Sequence, residues 1–229
     1  MIGVLVLIAL SAGLGSSTPQ ELERRGMLWQ AGAAYEELGD LAGQMRVTCR
    51  LLEEALYAGH PFRSARLIGR MEEMGAEETE LGLWRARLAW VCGLEQMAKL
   101  QLQELSGSSW LGLRAAGLAS MYSDLPEKAV EELTAAYAAA ENQMQRYYAS
   151  IDLTYAMLAS GSPETALEAA DSLSAAFPDD ALVGVLRALC LHGAGRFTES
   201  MMMFDSLATD TTLGMGPRSM ADCLQEELQ

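Results

Sequence analysis

Histidine is almost missing from this chain: there are two in 229 residues, His60 and His192, far apart in sequence. No Ser-His-Asp or Cys-His arrangement can be built around them, and no glycine-rich phosphate loop is present. The four cysteines, Cys49, Cys92, Cys190 and Cys223, are widely spaced, with no C-x-x-C and no zinc-ligand spacing. A Cys49–Cys92 bridge across neighbouring segments stays open if the compartment oxidises thiols. These absences predict a protein that is not an enzyme, has no cofactor or metal, and takes no small-molecule substrate. Basic residues are also scarce, 16 against 31 acidic, for a net charge of −15. An acidic surface repels phosphate backbones and anionic lipid, so nucleic acid is not an expected partner. Aromatics are only 7%, and the six prolines fall mostly near apparent helix starts. With Ala, Leu, Met and Glu abundant, the composition favours helix.

Charge is missing altogether from residues 1–17. Ile2 to Leu10 is apolar apart from Gly3, and small residues follow from Ser11 to Ser17. This is the pattern of a secretory signal, although the usual leading Lys or Arg is absent, and it is shorter than the ~20 apolar residues a membrane span needs. The leading expectation is an exported protein of the periplasm or cell envelope. A short membrane tether comes second and a buried first helix third. Any membrane contact runs through this segment, if it is uncleaved. Thr18-Pro19-Gln20-Glu21 then carries a capping box with proline at the first helical position.

What the chain has is periodicity. Ala65, Ala98, Ala129, Ala166 and Ser200 each fall a few residues into a helix that follows a turn, at steps of 33, 31, 37 and 34. A period near 34 marks a two-helix repeat that stacks into a solenoid. Helices are predicted at 19–38, 41–58, 62–74, 79–92, 95–105, 109–122, 125–140, 144–160, 163–176, 180–193, 197–208 and 218–228. Asp124 with Glu127, and Ser162 with Pro163, read as further helix caps. The division is 1–17 signal or apolar anchor, 18–214 solenoid, and 215–229 a capping helix with a polar outer face.

The stretch Ser150 to Asp180 resembles a tetratricopeptide (TPR) repeat through Leu153, Thr154, Gly161, Ala166 and Pro178. Leu113 to Ala136 resembles it through Ala116, Gly117, Ala129 and Leu133, and Leu182 to Leu207 through Ala188, Gly195, Ser200 and Phe204. The resemblance spans about residues 25–210. It implies an all-α fold, a right-handed α-α superhelix of about five helical hairpins plus end helices. Four positions depart from the pattern: Arg85 and Arg187 stand where leucine is usual, Glu53 where a small residue is, and Glu72 where a second alanine is.

The resemblance also implies a job. The first helix of each pair would line a concave face that holds a protein or peptide segment, with Arg87, Trp90, Arg114, Tyr122 and Tyr155 as the main contacts. Aromatic and arginine side chains are enriched at binding hot spots. The competing reading puts Trp90 and Tyr155 between helices and pairs Arg87 and Arg114 with neighbouring glutamates on a solvated face. The expected function is a scaffold or adaptor. The alternative is a structural subunit of a membrane-associated or self-associated assembly.

Overall fold

The computed structural model describes residues 17–210 together with Ala221 and Leu224. The regular elements from 17 to 210 are all helices: α1 (Pro19–Arg24), α2 (Leu28–Glu37), α3 (Leu41–Tyr57), α4 (Pro61–Glu73), α5 (Glu78–Val91), α6 (Glu95–Leu105), α7 (Trp110–Met121), α8 (Pro126–Ala139), α9 (Gln143–Ala159), α10 (Pro163–Ala176), α11 (Ala181–Gly193) and α12 (Phe197–Thr209). None of the described helices is long and apolar enough to cross a membrane. Residues 1–16 lie outside the described residues, as does most of the expected capping helix. Of that helix, Ala221 is helical and fully buried.

Each helix packs on the next, and α3/α4, α5/α6, α7/α8, α9/α10 and α11/α12 form five hairpins. Their turns share one backbone device, a residue in the left-handed region: Gly59, Gly93, Asp124, Gly161 and Gly195. Glycine adopts it without a Cβ penalty, and aspartate is among the few other residues that tolerate it. Asp124 is therefore the turn residue and not the expected cap. Leu125 holds the N-cap position of α8, with no side-chain cap bond. Ser162 is the N-cap residue of α10 ahead of Pro163, but its side chain does not cap either. The Thr18–Glu21 capping box forms as expected.

The repeat of small residues is real, with one slip. Ala98, Ala129, Ala166 and Ser200 are fully buried, each three residues beyond the first residue of its helix. In α4 that position is Ser64, also fully buried, while Ala65 is exposed. Ser64 serves because it is small and its hydroxyl donates to the His60 carbonyl at 3.0 Å, leaving no unpaired polar group. How close the paired helices run is clear at Gly117: a Cβ there would sit 2.4 Å from Leu133 Cγ.

The expected single helix 19–38 is two helices. The chain breaks at Gly26, with φ +68°, and a Cβ at that position would lie 2.6 Å from the Asp179 carbonyl oxygen. The turn after α1 thus presses on the turn before α11. One apolar core holds Leu22 and Leu28 together with Leu182, Leu186 and Phe204. The superhelix is closed on itself: α3 of the first hairpin bonds through Tyr57 to Asp152 of α9 and through Arg50 to Asp180, the N-cap residue of α11 in the last hairpin.

Candidate functional site

The five residues expected on the concave face lie on α5, α7 and α9 or just beyond them, and they point inward. Two do not face solvent. Arg87 is 3% exposed and Arg114 1%, and both reach Glu53 of α3, which is fully buried. Arg114 Nε also donates to Asp152 of α9 at 2.6 Å, and Tyr57 donates to the other Asp152 oxygen at 2.8 Å. Arg87 Nη2 stands 3.9 Å from that oxygen. The expectation that Arg87 and Arg114 present their charge to a partner is corrected. Their donors are occupied by Glu53 and Asp152, because an unpaired guanidinium in a closed core would be prohibitive. The competing reading named the right kind of partner in the wrong place, since these pairs are buried and not on a solvated face.

Aromatic rings wall the cluster. The Arg87 guanidinium lies over Tyr57 at 5.0 Å and Trp84 at 5.4 Å, and Arg114 over Tyr148 at 5.0 Å. Burial alone would push the Asp152 carboxyl up. The Arg114 and Arg87 charges, with hydrogen bonds from Arg114 and Tyr57, outweigh it and hold the group below the usual carboxylate range.

A second buried group ties α3 to the far end of the chain. Arg50 Nη2 donates to Asp180 at 2.7 Å, Tyr147 donates to the same oxygen at 2.9 Å, and Asp180 caps α11 through Val183. Glu54, beside them, has no comparable pairing among the described residues. Burial, with the Asp180 charge adding to it and Arg50 and Arg63 opposing, pushes its carboxyl up to about 8. On the outside, Arg85 pairs with Glu72 and Glu78, and Arg187 with Asp171. Of the four departures from the repeat pattern, Arg85 and Glu72 answer each other directly.

The other three expected contacts are half-buried aromatics. Trp90 and Tyr122 stack with ring centroids 4.0 Å apart, and Tyr57 and Tyr155 stack at 4.7 Å. Tyr57, Arg87, Trp90 and Tyr122 line a cavity of about 420 Å³ at the C-terminal ends of α3, α5 and α7. Arg87 forms its floor and Trp90 and Tyr122 its wall. Glu53, Asp152 and Tyr57 were not anticipated as a group. Glu53 carried a signal, as a carboxylate at a position where packing calls for a small residue.

The fold is an all-α superhelix of five helical hairpins among the described residues. No protein-family model matches the sequence, and no curated protein matches it. Among solved structures, the chain is similar to a kinesin light chain-like protein of Podosopora anserina built of nearly identical TPR-like repeats. For a single-substitution variant of that protein the identity is 14% and the TM-score 0.46, over 91% of this chain and 98% of that one. The chain is also similar to the TPR domain of P58(IPK), with 10% identity and a TM-score of 0.42 over 91% of this chain and 67% of that one.

Proposed function

We propose that the chain is a non-enzymatic protein-interaction scaffold, exported to the cell envelope, that receives a protein or peptide segment at the rim formed by Trp90, Tyr122 and Tyr155. The observation that supports it most is the stacked Trp90–Tyr122 pair walling an open cavity. Large, rigid, half-buried aromatics that keep part of their surface free offer contact area at little entropic cost. Arg87 serves this site by lying over the ring of Tyr57, and Arg114 shares Glu53 with it from deeper in the core. The apolar, uncharged residues 1–17 support export.

The test is a pull-down with the full chain as bait, beside a Trp90→Ala/Tyr122→Ala variant whose helicity is confirmed by circular dichroism. A protein held by the first and lost by the second supports the rim. The same proteins on both baits would sink it. Fractionation of the native cells, with N-terminal sequencing of the mature chain, tests export.

The structural-subunit reading is favoured by one observation. Leu94, Met97 and Leu100 are each at least half exposed along the outer side of α6. Concentration-dependent self-association abolished by Met97→Glu/Leu100→Glu would support it.

A further inference from the structure

A larger cavity, about 680 Å³, opens at the opposite end of the closed array, where the N-terminal ends of α3, α5, α7 and α9 converge. Its walls are mostly apolar: Met45, Trp110, Leu111 and Met144 line it. It adjoins a second cavity of about 420 Å³, which shares Arg46, Gln143 and Met144 with it and is lined further on by Arg24, Arg50, Asp179 and Asp180. The joined shape is a cleft, suited to an extended chain.

Its electrostatics select for sign. Converging helix N-termini would ordinarily favour an anion. Here Asp40 caps α3, Ser109 caps α7 and Asn142 caps α9, each accepting from a backbone N–H, and α5 carries Glu78 and Glu80 in its first turn. Arg46, the cation in the wall, is committed to Glu23 through two bonds of 2.8 Å and donates to Tyr35 at 2.9 Å. What remains on the wall of the larger cavity is the negative charge of Glu77 and Glu80; in the second, Arg50 is committed to Asp180, and Arg24 stands with Asp179. Two polar groups are also idle. Tyr148, 6% exposed, has a hydroxyl with no hydrogen-bond partner among the described residues, and so does the buried indole N–H of Trp110. Both are donors left without an acceptor.

We infer that this cleft binds an extended protein segment in which apolar side chains stand beside lysine or arginine, the apolar part packing on Met45, Leu111 and Met144 and the cation meeting Glu77 and Glu80. The inference rests on the reading of the chain as a protein-binding scaffold, but not on the Trp90–Tyr122 rim. The flexible thioethers let the wall accept more than one apolar side chain.

The test titrates the full chain with two fluorescent peptides, dansyl-Leu-Leu-Lys-Lys-amide and dansyl-Leu-Leu-Glu-Glu-amide. The basic peptide is expected to bind at least about tenfold more tightly. Glu77→Gln/Glu80→Gln should erase that preference, whereas Glu127→Gln/Glu131→Gln on the exposed face of α8 should leave it. Tyr148→Phe should weaken binding about two- to tenfold. Ala42→Trp, an exposed position on the cleft wall, should block binding with helicity unchanged. Trp90→Ala/Tyr122→Ala should bind the peptide normally, so a failed rim and a failed cleft are told apart. Equal affinity for the two peptides, an equal response to both pairs of Gln substitutions, or undiminished binding in Ala42→Trp would overturn the inference.

Discussion

Asp152→Asn asks whether the closed core depends on its charge balance. Two guanidiniums, Arg87 and Arg114, face two carboxylates, Glu53 and Asp152, and all four residues are at most 3% exposed. The substitution keeps the shape and one acceptor oxygen but removes one negative charge, leaving two cations to share Glu53. Breaking a buried pair from one side costs about 3–5 kcal/mol. That is a large share of the roughly 5–15 kcal/mol that stabilises a typical domain. Urea unfolding at neutral pH, followed by circular dichroism, measures it.

A double-mutant cycle with Arg114→Met sharpens the test. The double variant leaves Arg87 and Glu53 balanced, so it should be less destabilised than the two single variants summed, by about 1–3 kcal/mol. Acid supplies a second check. A carboxyl held below its ordinary range stabilises the fold above that range, and the contribution is lost as pH falls through the depressed value. The gap between the native chain and Asp152→Asn should therefore close below about pH 4. A cost under about 1 kcal/mol, or strictly additive effects, would refute the view that these charges are mutually dependent.

Glu54 gives the opposite pH dependence. Its carboxyl keeps its proton up to about 8 in the folded chain, while the unfolded chain releases it near the ordinary 4.5. Stability should thus fall by about 3–5 kcal/mol as pH rises through that window, and Glu54→Gln should remove the slope in urea titrations run from pH 4 to 9. Gly117→Ala should lower the melting temperature, costing about 1–3 kcal/mol, because the buried Leu133 cannot yield to a Cβ. Gly69→Ala in α4, with nothing within 4 Å, should raise it by stabilising the helix by about 0.5–1 kcal/mol. Gly26→Ala combines a left-handed backbone with a clash on Asp179, so it should loosen the contact between the ends of the array. Faster hydrogen exchange in α1 and α11, ahead of the middle hairpins, would report that loosening.

The hairpins were legible in the sequence because their determinants are local. A residue able to turn left-handed and a small residue three places into the following helix are enough, and both recur near a period of 34. The slip at Ala65 has a local cause as well. Alanine and serine are neighbours there, and only the direction of the helix decides which one faces its partner. The Asp124 reading failed for a related reason, since aspartate both caps helices and tolerates a left-handed turn.

Sequence alone thus determined the five hairpins from α3 to α12 and the type of side chain on their inner face, but not the break at Gly26. Tertiary structure decided what that face does. Whether a helical array stays open or closes depends on small rotations between successive hairpins, summed over the whole chain, and no short motif encodes that sum. Closure brought Arg50 to Asp180 and Glu53 to Arg114, pairs 130 and 61 residues apart, and turned a predicted charged groove into a neutralised core. A guanidinium on an open face is a hot spot, whereas the same guanidinium buried between two carboxylates is a structural tie. Contacts made across the closed array, and not the arginine itself, distinguish the two.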